Sequence, residues 1–100
     1  MNLLSWNCRG LGNPRTIRNL CHLVEDKHPN ILFLMETKLQ RDKMSYVRGK
    51  LGFDNLFVVD CIGRSGGLAL FWNNSIELEI YNYSLRHINA IINEPARNFQ

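Results

Sequence analysis

Ile31-Leu32-Phe33-Leu34-Met35 is apolar at every position and is followed at once by a carboxylate, Glu36. A strand wetted on one face alternates apolar and polar side chains, so an unbroken apolar run describes a central strand covered on both faces. It is too short for an independent helix. Upstream, Leu3, Leu4 and Trp6 form a second apolar segment, which ends in the polar Asn7 before Gly10-Leu11-Gly12; this is a strand closed by a turn. Between the two lies a helix. Asn13-Pro14 starts it, because asparagine caps free amides and proline lacks only an N–H that would be unpaired there. Ile17, Leu20, Cys21 and Val24 follow at the i, i+3, i+4, i+7 spacing, and His28-Pro29 stops it. Strand, helix and strand with this spacing make a βαβ unit, whose strands run parallel and end on the same edge.

Downstream the pattern changes. A weaker helix is predicted over Arg41 to Leu51, with Met44, Val47 and Leu51 inward and Gly52 as its stop, although Gly49 costs it stability. Leu56-Phe57-Val58-Val59, the loop Gly63-Arg64-Ser65-Gly66-Gly67 and Leu68-Ala69-Leu70-Phe71-Trp72 form a hairpin. After the turn Asn73-Asn74-Ser75, Ile76, Leu78 and Ile80 alternate with Glu77, Glu79 and Tyr81 as a half-exposed strand, and Ile88 to Ile92 offers one more. No repeat, low-complexity tract or linker interrupts the chain, and its 100 residues suit one compact unit. The closing Arg97-Asn98-Phe99-Gln100 shows no terminating element.

The βαβ reading puts Asn7 and Glu36 at the carboxyl ends of neighbouring strands, the edge where open α/β sheets bind ligands. A carboxylate oxygen beside an amide oxygen is a hard-oxygen pair suited to Mg²⁺, which takes few protein ligands and keeps waters for substrate phosphate. The same spacing also fits a surface glutamate and an asparagine capping a turn. Gly63-x-x-Gly66-Gly67 lacks the lysine and hydroxyl of a phosphate-cradling loop; it is a hairpin turn from which Arg64 can reach a phosphate. Cys8 has no histidine partner, and His22, His28 and His87 take structural readings in a helix, at a helix stop and at a strand entrance.

Twelve basic against nine acidic side chains give a formal charge of +3, which favours polyanions without demanding them. Cys8, Cys21 and Cys61 form neither an even set nor a C-x-x-C pair, so no disulfide framework or zinc knuckle is indicated. No apolar run approaches the roughly 20 residues of a membrane helix, and the first residues lack the basic flank and cleavable apolar stretch of a secretory leader. The chain reads as intracellular, in nucleus or cytoplasm, and not secreted.

Ser5-Trp6-Asn7-Cys8-Arg9-Gly10-Leu11, then Leu34-Met35-Glu36-Thr37-Lys38, then Ser65-Gly66-Gly67-Leu68-Ala69 together resemble the opening of the endonuclease/exonuclease/phosphatase superfamily. More narrowly, they are similar to the apurinic-type endonuclease domain of plant LINE-like non-LTR retrotransposons. The resemblance implies an α/β fold, a four-layer sandwich of two mixed sheets flanked by helices, of which this chain carries the βαβ start and antiparallel strands. It implies that Asn7 and Glu36 are catalytic and help bind Mg²⁺ or Mn²⁺. Arg9, Lys38 and Arg64 then become candidate nucleic-acid contacts, with DNA the partner of a complete domain and a reverse transcriptase domain in the parent protein.

The family's later parts, a tyrosine, a Gly-Asp-x-Asn motif and a terminal Ser-Asp-His, have no match here. The expectation is therefore that residues 1–100 are the N-terminal part of one truncated domain, a fragment of a divalent-metal phosphodiester hydrolase. The alternatives are a non-catalytic remnant or interaction module, or a phosphatase or phosphodiesterase of the same superfamily.

Overall fold

The computed structural model describes residues 2–93; the stretch from Arg97 to Gln100 lies outside them. In chain order the elements are β1 (Leu3–Asn7), α1 (Pro14–Lys27), β2 (Ile31–Met35), α2 (Arg41–Leu51), β3 (Asn55–Val59), β4 (Leu68–Trp72), β5 (Glu77–Tyr83) and β6 (Ile88–Asn93). The predicted mixed α/β architecture is present. β1 and β2 pair in parallel, Leu3 opposite Ile31 through Asn7 opposite Met35. β4 runs antiparallel to both β2 and β3, which gives a four-stranded sheet in the order β1-β2-β4-β3, while β5 and β6 form a separate antiparallel hairpin.

Register explains why β2 and β4 are apolar throughout. Leu4, Leu32, Phe71 and Leu56 align across the sheet, as do Trp6, Leu34, Ala69 and Val58. Side chains alternate between faces, so both rows lie on one face; Leu32, Leu34, Ala69 and Phe71 are buried in the core cluster with Leu20 of α1 and Met44 and Val47 of α2, and Leu4, Trp6, Leu56 and Val58 pack against it. The opposite face carries Phe33, Leu70 and Phe57 in one row and Met35, Leu68 and Val59 in the next. Tyr83 of β5 meets Phe57 there edge to face, with ring centres 5.1 Å apart, an arrangement that the ring quadrupoles favour. Helices thus cover one side of the sheet, and the β5–β6 hairpin reaches the other.

The helix ends follow local chemistry. Asn13 Oδ1 accepts the Arg15 N–H at 2.9 Å, and Pro14 opens α1. At the other end His28 takes a left-handed backbone and donates its N–H to Val24 O at 2.8 Å. α2 closes on Gly52, also left-handed. Its first turn is capped from a distance: Gln40 makes no side-chain cap, but Asp60 Oδ1 accepts the Arg41 N–H at 2.8 Å. One member of the α1 stripe departs from expectation: Ile17, Leu20 and Val24 pack into the core cluster, whereas half-buried Cys21 is not part of it and lines a groove between the helices with Tyr46. β5 runs on to Tyr83 with a bulge between Ile80 and Asn82, beyond the alternating stretch that announced it. Among the described residues, no helix is long and apolar enough to cross a membrane.

Candidate active site

Three loops meet where β1 and β2 end. Cys8 N–H donates to Met35 O at 2.9 Å, Gly10 N–H to Glu36 O and Leu11 N–H to Thr37 O at 2.8 Å each. On the other side, Thr37 N–H donates to Gly67 O at 3.1 Å and Lys38 N–H to Gly66 O at 2.8 Å. The segment after β2 is therefore held from both flanks by backbone bonds. That support matters because Arg9, Glu36 and Lys38 have φ of 53°, 52° and 56°, the left-handed region that non-glycine residues seldom occupy. Such strain persists only where surrounding structure over-determines it, and it concentrates at functional positions.

Gly67 completes the frame. Its φ is 97°, and a Cβ there would overlap Thr37 Oγ1 and come within 3.0 Å of Lys38 N. Thr37 is fully buried and accepts the Leu39 N–H through Oγ1 at 3.3 Å. The Ser-Gly-Gly stretch is thus more than a hairpin turn, because it lets two backbones touch beneath Glu36.

Asn7 and Glu36 meet as predicted from the parallel crossover, but with the amide reversed. Asn7 Nδ2 donates to Glu36 Oε2 at 2.8 Å, and Asn7 Oδ1 accepts the Arg9 N–H at 3.0 Å. The expectation of two oxygens side by side is corrected by elementary complementarity: a carboxylate only accepts, so the amide must offer it the N–H side. Arg9's left-handed backbone turns its own N–H back onto the remaining oxygen. Both side chains are exposed. Among the described residues, Glu36 Oε1 has no hydrogen-bond partner, and Asn7 Oδ1 keeps one lone pair. These donors fit a hard divalent cation that takes one or two protein oxygens and completes its shell with water or phosphate. Among the described residues no three His, Cys, Asp or Glu side chains gather to hold a metal.

Glu36 opens on a cleft of about 590 Å³ that Lys38 and Arg64 also line. Arg9 and Asn7 are not among its walls; Arg9 enters the site through its backbone. Sequence reasoning missed four residues of this cleft, Asp60, Ile62, Leu85 and Arg86. Asp60 is engaged with Arg41, accepting its N–H and lying 3.8 Å from its Nε. No pattern in the linear sequence links Arg86 to Glu36, because only the placement of the hairpin brings them together. Cys8, behind Asn7, is buried, and loss of hydration pushes its thiol from 9.0 up to about 12, with the charge of Glu36 adding to the effect against a backbone hydrogen bond that lowers it. It is a packed, protonated thiol rather than a nucleophile. His22 and His28 are exposed at α1, and His87 Nδ1 lies 2.7 Å from Ser84 Oγ in the β5–β6 turn.

The model of the endonuclease/exonuclease/phosphatase family matches residues 4–98. Among solved structures, the AP endonuclease LMAP from Leishmania major superposes with a TM-score of 0.58 at 20% identity, covering 78% of this chain and 27% of its own. The APE2 catalytic domain from Xenopus laevis gives 0.55 at 25% identity, covering 80% of this chain and 26% of its own. The chain spans about a quarter of the length of each. No curated protein sequence matches it. With the family match running over nearly all of its length and its fold shared with these structures, the chain belongs to the endonuclease/exonuclease/phosphatase family.

Proposed function

We propose that residues 1–100 are the N-terminal part of a single domain of a divalent-metal-dependent DNA endonuclease, of the type found in plant LINE-like retrotransposons. The observation that carries this reading is the Asn7–Glu36 hydrogen bond at the carboxyl edge of two parallel strands, beside a cleft with basic walls. The similarity to two structures described as an AP endonuclease and an APE2 catalytic domain supports a DNA substrate, and their greater length supports a domain continued by further sequence. The retrotransposon assignment, and with it a reverse transcriptase domain in the parent protein, rests on the three sequence motifs.

In this reading Glu36 is the carboxylate that holds Mg²⁺ or Mn²⁺. Asn7 acts one step back, fixing the carboxylate through Nδ2 while Arg9 N–H fixes Asn7. Lys38 and Arg64 draw the phosphodiester into the cleft. A bound divalent ion supplies stabilisation of charge on phosphate oxygens and of the attacking water. Among the described residues, Glu36 is the carboxylate of the cleft that is not engaged with a cation, since Asp60 is engaged with Arg41; this favours a non-catalytic reading for the isolated fragment.

Plasmid nicking tests both statements. Residues 1–100 alone are expected not to nick with Mg²⁺, whereas fusion to a matching downstream half restores nicking. Glu36→Ala in that fusion abolishes it. Asn7→Ala lowers activity by about 10- to 100-fold, the usual cost of losing a residue that orients a metal ligand, with part of the loss recovered at higher Mg²⁺. A fusion that nicks equally well with Glu36→Ala overturns the site. Nicking by the fragment alone that is lost on both chelation and Glu36→Ala overturns its inactivity.

A further inference from the structure

The cleft beside Glu36 has a segment of wall that the sequence motifs do not touch, the tip of the β5–β6 hairpin. Three cations line the cleft, Lys38, Arg64 and Arg86, and none of them is in an ion pair among the described residues. Of the two acids there, Glu36 accepts from Asn7 and Asp60 is engaged with Arg41. Unpaired cations sharing a concave surface repel one another, and their field is relieved by an anion of extended charge.

The tip also holds the backbone of its arginine in place. Ser84 N–H donates to His87 O at 2.8 Å, and Arg86 N–H donates to Ser84 Oγ at 3.1 Å. That hydroxyl lies 2.7 Å from His87 Nδ1, so it accepts from Arg86 while its own proton is free for the ring. The Tyr83–Phe57 ring contact fastens the adjoining strand to the main sheet. Leu85, 57% exposed, adds apolar surface to the same cleft. An arginine whose backbone is anchored, next to an apolar side chain, suits the alternating phosphate and sugar of a polynucleotide better than a free inorganic anion.

We propose that Arg86 and Leu85, at the hairpin tip, form a binding site for the phosphodiester backbone of a polynucleotide, so that the strand held at Glu36 is gripped from the second sheet as well as the first. This rests on the reading of the cleft as a nucleic-acid site, and it adds residues that no motif marks.

Fluorescence anisotropy of a fluorescein-labelled duplex oligonucleotide, titrated with the 100-residue chain over a range of salt, tests it without requiring catalysis. Each phosphate contact contributes about one unit to the slope of log affinity against log salt. Arg86→Ala is expected to reduce the slope by about one unit, and Arg86→Lys to restore it. Arg18→Ala, which removes the same charge from the exposed face of α1, leaves the slope unchanged. Leu85→Ala weakens binding at constant slope. If Arg86→Ala behaves like Arg18→Ala while Arg64→Ala loses slope, the inference is overturned and the nucleic-acid cleft stands. If the wild-type chain shows no salt-dependent binding, the reading of the cleft itself is overturned, and the inference with it.

Discussion

Cys8 and Asn7 are adjacent in sequence, yet the structure gives them opposite surroundings: the thiol faces the core and the amide faces solvent. Alternation along a strand end produces this, and it separates a packing residue from a site residue at neighbouring positions. The thiol's pKa, pushed up to about 12 by burial, makes two effects measurable. A thiol whose folded value exceeds its unfolded value of 9.0 contributes stability that is complete below pH 9 and fades as pH rises towards 12. Reactivity depends on the same proton in the opposite sense, suppressed while the thiol is held protonated and growing only as pH rises, because only the thiolate attacks. Cys21, half-buried in the groove between the helices, is expected to react first with iodoacetamide at pH 8, and Cys8 only as the chain unfolds. Peptide mapping of the labelled protein checks this, and equal labelling of both would show that Cys8 is not sequestered.

Two glycines in different elements show how context sets the sign of one substitution. Gly49 lies inside α2, exposed, with nothing within 4 Å of where a Cβ would stand. Gly49→Ala is expected to stabilise the protein by about 0.5–1 kcal/mol, because it removes backbone freedom from the unfolded chain and suits the helix. Gly67→Ala should cost about 1–3 kcal/mol, since its backbone conformation is unfavourable to a side chain and its Cβ would press on Thr37 Oγ1. Urea melts of the two variants should therefore shift in opposite directions. A Gly67→Ala midpoint equal to that of the wild type would mean that the loops after β2 and before β4 are not locked together. The long-range cap of α2 belongs to the same scale: Asp60 ties the end of β3 to the start of a helix that precedes it in the chain.

At the scale of the whole molecule, the coverage of the two sheets is unequal. The helical side of the main sheet encloses a continuous core, whereas the β5–β6 hairpin exposes Tyr81, Tyr83, Leu85, Ile91 and Ile92. Carried on one two-stranded element, they leave apolar side chains exposed on both of its faces. A two-stranded hairpin is also marginal without further packing. The 100-residue chain is thus expected to bind a hydrophobic dye such as anilinonaphthalene sulfonate under native conditions. Dye titration followed through a thermal melt checks this, and a sharp cooperative melt with no dye binding would show that the hairpin packs well enough by itself.

Which segments become strand or helix, and which face each one buries, was legible in the sequence. Leu3 to Asn7, the stripe Ile17, Leu20 and Val24, and Ile31 to Met35 carry that information in residues a few positions apart. The parallel crossover then followed from linker length, and with it the meeting of Asn7 and Glu36 across 29 residues. Only the tertiary structure decided that β4, not β3, lies beside β2, that Cys21 turns to a groove, and that Asn7 offers nitrogen rather than oxygen to the carboxylate. Only there do Asp60 and Arg86 join the cleft. The reason is physical: periodicity encodes the direction in which a side chain points, but not the element it will meet. Strand order, the left-handed backbone at Glu36 and the hairpin tip beside it are settled by contacts between distant segments, and those exist only once the chain has folded.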